Sequence, residues 1–298
     1  MASIEQRIAQ VRDDREHGSR WLVRETTTML HDIAVDLEQP GDERLRQLKS
    51  AGQELVQARP AMAAIAGAVW RILGAPGVAS DIDRVARAAE ELLQTYDHAV
   101  AHITEYARPL LRGTVMTHSL SGTIIDVLRA CTQQLDGVIV LEGRPRYEGR
   151  AMAEALSKTG LPITLITDAQ AAIFLPQCTS AIVGADSVLA DGSIFNKAGT
   201  ALVGWAAHGL KKPLYVLSET LKIAAYKWKG DLAQLEEKEP GEVLEQPMSG
   251  VTARNFYFDH TPASLVTKLI SEQGILTREE VTRIAKELQE AMRRAGNL

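Results

Sequence analysis

The sequence predicts an α/β protein with two domains, an N-terminal helical domain (residues 1–111) and a second domain (residues 112–298) built on a mostly parallel sheet. Three observations lead to this prediction. The first third of the chain shows apolar residues at helical spacing only. From residue 112, short apolar segments alternate with amphipathic ones, which is typical of βαβ units. Polar loops follow the apolar segments, as in Rossmann-like domains.

In the helical third, Ile4, Ile8 and Val11 recur at a spacing that places them on one helix face. A long helix is predicted from Ser80 toward Tyr106. Later in the chain, a further helix is expected from about Thr200 to Gly209. The predicted parallel strands are residues 114–116, 138–141, 162–166, 181–183 and 213–217.

The last quarter of the sequence is predicted to contain a surface excursion followed by two helices. Residues 227–258 are charged and interrupted by glycine and proline, which is typical of a surface excursion. Two closing helices are expected, from Pro262 to about Gln273 and from Thr277 to about Arg294. Thr277 and Glu280 have the spacing of a capping box.

Composition excludes several classes of protein. The formal net charge of −5 argues against a general affinity for nucleic acid or for an anionic membrane. Two cysteines cannot form a disulfide framework, and no signal peptide or membrane-spanning run is evident, so a cytoplasmic protein is expected. His98 and His102 are spaced for one helix face but have no third ligand, so neither a metal nor a cofactor is predicted.

The stretch from Gly184 to Thr200 is the richest in candidate chemistry. Asp186 follows a strand expected to be buried, and desolvation opposite Lys197 would tune its carboxylate for proton transfer. A turn-capping role is the alternative. Lys197 and the N–H groups at the start of the next helix are candidates to hold a phosphate. The alternative is a loop in which Thr200 is the N-cap.

Two other short motifs suggest ligand contacts. Thr117-His118-Ser119 suggests nucleophilic catalysis, but neighbouring side chains of a regular strand point to opposite faces, and Ser119 is equally a candidate N-cap. Pro60 suggests a helix start, and Arg59 before it is suited to bind an anion at that helix end. Alone, Arg59 is also consistent with a solvated charge.

Together these motifs resemble the family that unites the alpha, beta and delta subunits of translation initiation factor 2B with two isomerases, those of methylthioribose 1-phosphate and ribose 1,5-bisphosphate. The matching stretches are ARPAMAAI (58–65), VMTHSLS (115–121), EGRPRYEGRAMAEAL (142–156), LITDAQAA (165–172), VGADSVLADGSIFNKAGTA (183–201), SETLKI (218–223) and FDHTPASLVTKLISEQGILT (258–277). Within the first 57 residues, only Gly18-Ser19 resembles the family, as its phosphate-binding glycine turn.

The resemblance implies a phosphosugar site between the two domains. By this similarity, Asp186 and Ser119 occupy the two catalytic positions. The implied substrate-binding residues are Gly18, Ser19, Arg59, His118, Arg144, Glu148, Asn196 and Lys197. The implied partners are a phosphorylated ribose or a nucleotide and further copies of the chain, which pair through the Rossmann-like domain. The apolar run 256–258 is consistent with such pairing.

The sequence departs from the isomerases at two of these positions and at the residue before Gly18. They have cysteine where this chain has Ser119, glutamine where it has Glu148, and arginine where it has His17. The neighbouring Leu120 also differs. A thiol exchanges protons near neutral pH far more readily than a hydroxyl. Two functions therefore follow: a sugar-phosphate aldose–ketose isomerase, or a non-catalytic regulatory subunit that senses a phosphosugar or nucleotide.

Overall fold

The computed structural model describes residues 3–14, 17–78 and 81–296, and its N-terminal part is helical. Its helices are α1 (Ile4–Asp13), α2 (Ser19–Val35), α3 (Gly41–Ala58), α4 (Ala63–Leu73) and α5 (Asp83–Ala107). A capping box begins α1, because the Ser3 hydroxyl accepts a hydrogen bond from the Gln6 N–H and the Gln6 side-chain oxygen accepts one from the Ser3 N–H. The predicted start of the long helix, Ser80, lies outside the described residues.

Helix α4 begins later than the sequence predicted. Arg59 is the C-cap of α3, and Pro60 lies in the turn that follows it rather than at the first position of α4. The prediction was wrong because proline fixes its own backbone angle but does not require that a helix continue from it. This turn directs Arg59 toward the sheet domain, where its side chain is 14% exposed.

A seven-stranded sheet forms the second half of the molecule and confirms the predicted α/β class. The strands are β1 (Gly113–His118), β2 (Leu135–Leu141), β3 (Ile163–Ile166), β4 (Ser180–Val183), β7 (Leu214–Leu217), β9 (Lys268–Ser271) and β10 (Gly274–Leu276). Their order is β10-β9-β7-β4-β1-β2-β3, and all neighbouring strands are parallel except the β9–β10 pair. The helices around the sheet are α6 (Gly122–Ala130), α7 (Glu148–Ser157), α8 (Ala171–Phe174), α9 (Thr200–Gly209) and α10 (Arg278–Gly296).

The predicted helix from Pro262 to Gln273 is wrong. Residues Lys268–Ser271 form β9, which pairs in parallel with β7, and β10 folds back on β9 as a hairpin. Leu269 and Ile270 are buried on opposite faces of this strand. Over so short a segment, the spacing of apolar residues does not distinguish a strand from a helix. The second closing helix is present as α10, and Thr277 accepts a hydrogen bond from the N–H of Glu280.

A second, antiparallel sheet was not predicted. It consists of β5 (Ser187–Val188), β6 (Ile194–Lys197) and β8 (Phe258–Thr261), in the order β5-β6-β8. It lies between the helical part and the large sheet, because Phe195 and Phe258 belong to the same buried cluster as Leu22 and Met29 of α2. Since this core is continuous across residue 111, the division into domains at that residue stays a prediction.

Residues 227–258 are mostly exposed, as predicted for a surface excursion, but residues 233, 236–238 and 257–258 also line a cleft. Glu237 forms an antiparallel bridge with Phe256, and Asn255 donates a hydrogen bond to the backbone oxygen of Glu239. The hydroxyl of Tyr257 donates to the Glu242 carboxylate at 2.6 Å.

Within the described residues, no helix is long and apolar enough to cross a membrane.

Candidate functional site

A cleft of about 1410 Å³ opens between the N-terminal helices and the carboxyl ends of the parallel strands. This is where open parallel sheets bind ligands. Most of the predicted site residues line it, although they come from distant parts of the chain. Those that line it are Gly18, Ser19, Arg59, His118, Ser119, Glu148, Asp186, Asn196 and Lys197.

Asp186 lies at the floor of the cleft, three residues after the fully buried strand β4. Its backbone is fixed on both sides: its N–H donates to the Phe195 carbonyl at 2.9 Å, and its own carbonyl accepts from Ala63 at 3.2 Å. Burial raises the pKa of Asp186 above its usual value, although the positive charges of Lys222, Lys197 and Arg59 act in the opposite direction. A carboxyl group with a raised pKa is suited to exchange protons at neutral pH.

Ser187 joins the two halves of the molecule directly beside Asp186. Its hydroxyl donates to the Ala61 carbonyl at 2.6 Å and accepts from the Ala63 N–H at 2.9 Å. The start of α4 is thereby attached to the strand that carries the cleft floor. An attachment of this kind holds the neighbouring Asp186 side chain in a defined position.

His118 and Ser119 both line the cleft, contrary to the expectation that neighbouring side chains point to opposite faces. Strand β1 ends at His118, and Ser119 has a φ of 63°, so the extended alternation stops between them. Ser119 is not a helix cap either, because Ser121 is the N-cap of α6. A left-handed backbone at a serine costs free energy and is found preferentially at functional sites.

His118 is a buried neutral group with a defined orientation. Its Nε2 lies 2.9 Å from the Ala198 carbonyl oxygen, so Nε2 carries the proton and donates it. Nδ1 lies 3.8 Å from the Asp168 carboxylate. Burial lowers the pKa of His118, which favours the uncharged ring at neutral pH. The Asp168 carboxylate accepts hydrogen bonds from the N–H groups of Gly143 and Arg144.

Asn196 and Lys197 lie on strand β6 rather than in a loop before α9. Asn196 donates through Nδ2 to the hydroxyl of Thr200 at 2.9 Å. Lys197 Nζ lies 2.8 Å from Glu148 Oε1 and 4.4 Å from the centre of the Tyr257 ring. The ammonium group therefore faces the cleft between an anion and an aromatic face.

The start of α9 does not bind phosphate in the predicted way. Asp259 Oδ2 accepts hydrogen bonds from the N–H groups of Gly199 and Ala201, at 2.7 and 3.0 Å. The N-cap is Gly199, with a φ of 109°, and not Thr200. An internal carboxylate thus occupies the position that an external anion would need. Lys197 still lines the cleft, where a ligand can reach it.

A different helix end opens into the cleft beside Arg59. Gly18, the N-cap of the 17-residue helix α2, and Ser19 line this end. Gly18 has no side chain that could cap the helix. Arg59 Nη1 donates to the Asp14 carbonyl at 3.0 Å. His17, which stands where the isomerases have arginine, stacks on Trp21 with ring centres 4.2 Å apart. Arg59 and the α2 end are together suited to bind an anion.

A buried ion pair that was not predicted from the sequence also lines the cleft. Lys222 Nζ lies 3.2 Å from Glu219 Oε2, and Thr123 donates to Glu219 Oε1 at 2.7 Å. Burial acts to raise the pKa of Glu219, but Lys222 and Thr123 outweigh it and hold the pKa below its usual value. Both residues lie in the stretch SETLKI after β7, so the polar loop at that strand end was the available signal.

Glu236, Lys238 and Tyr257, from the segment 227–258, also line the cleft. Glu236 and Tyr257 are buried. Tyr257 and Phe258 are only 9% and 5% exposed, so the apolar run 256–258 does not indicate a surface for pairing. The large apolar residues exposed in this half include Ile173, Leu202 and Trp205 on α8 and α9.

Arg144 is the predicted site residue that does not line the cleft. Its side chain is exposed, hydrogen-bonds the Tyr147 hydroxyl and lies over the Tyr147 ring. Arg146, two residues later, does line the cleft. Local sequence does not distinguish these two arginines, which both precede the turn into α7 at Tyr147, where φ is 60°.

Comparison with known proteins identifies the family. Residues 15–278 match the profile of the initiation factor 2 subunit family. Ribose 1,5-bisphosphate isomerase of Methanocaldococcus jannaschii is 26% identical over 283 residues, which cover 93% of this chain and 92% of that protein. The crystal structure of the Pyrococcus horikoshii OT3 translation initiation factor eIF-2B has a TM-score of 0.80 and 28% identity, and the match covers 93% of this chain and 98% of that one.

The same fold is found in the structure of a second isomerase. The structure of 5-methylthioribose 1-phosphate isomerase from Pyrococcus horikoshii OT3 has a TM-score of 0.71 at 23% identity, and the match covers 97% of this chain and 88% of that one. At this identity the similarity concerns the fold alone. The predicted family resemblance is confirmed over most of the sequence. The chain belongs to the initiation factor 2 subunit family.

Proposed function

We propose that this protein is a sugar-phosphate isomerase that converts a ribose 1-phosphate derivative from its aldose to its ketose form. The observation that carries the proposal is Asp186, a partly buried carboxyl group with a raised pKa, which lies among the positive charges of Lys222, Lys197 and Arg59. Positive charge on several sides matches an anionic substrate, and the carboxyl group supplies proton exchange. The isomerase activity of the Methanocaldococcus jannaschii relative supports the same assignment.

The net reaction defines what the side chains must do. The bond between C1 and the ring oxygen O4 breaks, and O4 gains a proton. C2 loses its hydrogen, C1 gains one, and the C2 hydroxyl loses its proton as it becomes a carbonyl. At least one group must therefore accept a proton and one must donate it. We assign this exchange to Asp186, with Ser119 at the second catalytic position.

The binding roles follow from charge and position in the cleft. Arg59 and the N-terminal end of α2 at Gly18 and Ser19 are assigned to a phosphate. We assign Asn196 and Lys197 to bind the sugar hydroxyl groups and the negative charge of the substrate nearest to those groups. His118, which is neutral and fixed by the Ala198 carbonyl, is assigned to orientation of the substrate rather than to charge neutralisation.

Ser119 favours a second candidate, a regulatory subunit that binds a phosphosugar or nucleotide without turnover. A serine hydroxyl is a much weaker acid than the cysteine thiol of the isomerases, whose reference pKa is about 8.5. The similarity to translation initiation factor eIF-2B at 28% identity is consistent with this alternative. The same cleft would serve it, since binding requires Arg59 and Lys197 but not proton transfer.

Turnover and binding together distinguish the two candidates. The purified chain is incubated with ribose 1,5-bisphosphate or with methylthioribose 1-phosphate, and the ketose product is detected by NMR. Thermal unfolding is recorded with the same ligands, because a ligand at about 100 times its Kd stabilises a protein by about 2.7 kcal/mol. Turnover supports the isomerase. A raised melting temperature without turnover supports the regulatory subunit, and neither result with millimolar ligand contradicts both.

We further propose that the protein forms a homodimer or a larger closed oligomer. The exposed side chains of Ile173, Leu202 and Trp205 lie on α8 and α9 of the sheet domain. Helix α9 also lacks Asp, Glu, Lys and Arg, which is unusual for a helix with a solvent-facing side. Light scattering of dilute protein measures the mass, and a monomeric value contradicts this proposal.

A further inference from the structure

Glu236 is a buried carboxylate in the cleft wall, and one of its oxygen atoms has no polar partner. The residue is 8% exposed, and within the part of the chain that the structure describes Oε1 has neither a hydrogen-bond nor an ion-pair partner, whereas Oε2 contacts two cations. Buried carboxylate oxygens normally accept hydrogen bonds, because desolvation without them is costly. The side chain lines the cleft, so the donor that it lacks can come from a ligand.

The positive charges beside Glu236 are already in place. Lys238 Nζ lies 3.0 Å from Oε2, and Arg59 Nε lies 3.8 Å from the same oxygen. Two cations therefore accompany one carboxylate, and an ammonium group on the ligand is not needed to balance it. What is missing is a neutral hydrogen-bond donor to Oε1, and Oε2 can accept a second donor beside the Lys238 ammonium group.

The backbone presents Glu236 to the cleft in a defined orientation. Its φ is 53°, in the left-handed region that a glutamate rarely adopts. The Tyr257 N–H donates to its carbonyl at 3.3 Å, and the bridge between Glu237 and Phe256 fixes the next residue. Backbone strain of this kind persists where surrounding contacts hold it and is concentrated at ligand sites.

We propose that Glu236 determines specificity for ribose by accepting hydrogen bonds from the vicinal C2 and C3 hydroxyl groups of the bound sugar phosphate. Hydroxyl groups donate, whereas an ionised phosphate only accepts and is repelled by a carboxylate. A carboxylate that binds a ribose hydroxyl is an established solution in nucleotide-binding folds. Arg59, beside it, then binds the phosphate. This inference rests on the proposed function, because it concerns the same cleft.

The consequence is discrimination against sugars that lack a hydroxyl group. With a deoxyribose phosphate, one Glu236 oxygen would stay buried and without a donor. A site built around a substrate hydroxyl rejects the analogue that lacks it much more strongly than an apolar pocket rejects a missing methylene. The protein should therefore prefer ribose phosphates over deoxyribose phosphates of equal charge.

The test measures the binding of ribose 1-phosphate and 2-deoxyribose 1-phosphate by calorimetry to the wild type, Glu236→Gln and Glu239→Gln. Glu239 is exposed, lies three residues away and does not line the cleft, so its variant controls for the loss of one negative charge. We expect the wild type to bind the ribose compound at least about tenfold more tightly. Glu236→Gln should weaken that binding by roughly 10- to 100-fold and affect the deoxy compound much less. Glu239→Gln should match the wild type.

Three results would overturn the inference. If the wild type binds the two sugars with equal affinity, the inference is wrong. This result needs no variant and therefore does not depend on how well Glu236→Gln folds. Unchanged or tighter binding of ribose 1-phosphate by folded Glu236→Gln would identify Glu236 as only a counter-ion of Arg59 and Lys238. Both outcomes leave the proposed function standing. If the wild type binds neither sugar phosphate, the proposed function fails and this inference fails with it.

Discussion

Lys197 and Glu148 form an ion pair inside the cleft, with Nζ 2.8 Å from Oε1. The pair is well shielded, since the two side chains are 13% and 23% exposed. It neutralises an ammonium group that the proposed reaction assigns to the substrate. By the family resemblance, the isomerases have glutamine at the position of Glu148. This chain thus holds one of its candidate substrate-binding groups in an internal contact.

Glu148→Gln should therefore strengthen the binding of anionic ligands. The substitution removes a negative charge next to Lys197 and keeps the size of the side chain. A partly buried ion pair of this kind is worth on the order of 1 kcal/mol, so we expect affinity for a phosphosugar to rise by roughly 3- to 10-fold. Calorimetry measures the change. Glu154→Gln on the same helix, exposed and ion-paired with Lys158, is the control and should change nothing. Weaker binding to Glu148→Gln would show that Glu148 itself contacts the ligand.

Gly199→Ala should destabilise the protein and displace His118. A Cβ at Gly199 would lie 2.8 Å from His118 Nε2, and the φ of 109° disfavours any side chain there. We expect the free energy of unfolding to fall by about 1–3 kcal/mol in denaturant titrations. Gly209→Ala, at the far end of α9, meets nothing within 4 Å and serves as the control. Equal stability of the two variants would mean that the Gly199 backbone adopts another conformation.

Asp259 should make stability depend on pH. Burial raises the pKa of Asp259 to about 7, despite the N–H groups of Ala201 and Gly199 that act to lower it. Because the folded state then keeps a proton that the unfolded state releases near pH ~4, this contribution to stability is greatest below that pH and falls as pH rises toward 7. The slope is about 1.4 kcal/mol per pH unit between these limits.

The comparison with Asp259→Asn isolates this contribution from those of other groups. The difference in unfolding free energy between wild type and variant should change with pH between roughly 5 and 7 and level off above about 8. An asparagine side chain cannot ionise, so the stability of the variant should lack this slope. Parallel pH profiles for the two proteins would show that Asp259 is already ionised in the folded state, held by its two backbone hydrogen bonds.

The large sheet could be predicted from the sequence because its strands are short apolar segments between helices. Prediction failed where pairing partners are far apart in the chain. Residues 194–197 and 258–261 become strands β6 and β8 through pairing with each other, and Asn196 lies opposite Asp259. Lys268–Ser271 becomes a strand because β7 offers it an open edge. Local patterns carry little information about such long-range pairing.

The sequence indicated the candidate site residues that closely follow strands. It did not indicate those that reach the cleft from a long segment elsewhere in the chain. Asp186 and Ser119 lie shortly after strands, so the fold class alone indicates their edge of the sheet. Glu236 has no such signal. It reaches the cleft because the bridge between Glu237 and Phe256 closes a long segment, and charged residues in that segment resemble an ordinary solvated loop in the sequence.

Ser119→Cys should raise turnover if the rest of the site has isomerase geometry. A thiol ionises near pH ~8.5, whereas a serine hydroxyl stays protonated, so the variant gains a group that exchanges protons. We expect kcat to increase by up to about 100-fold, with the ligand Kd unchanged within a few-fold. Ser121→Cys, at the N-cap of α6, controls for nonspecific thiol chemistry. No gain in a folded variant that still binds ligand would favour the regulatory function.

The proton-transfer role of Asp186 is tested most directly by Asp186→Asn, which keeps the shape of the side chain and removes the titrating group. Turnover of ribose 1,5-bisphosphate and of methylthioribose 1-phosphate is measured by NMR, and ligand binding is measured by calorimetry. Asp136→Asn, at an exposed position outside the cleft, is the control. We expect the Asp186 variant to lose a factor of roughly 10²–10⁴ in kcat while its Kd stays within a few-fold of the wild-type value. Equal turnover by wild type and Asp186→Asn would contradict the account.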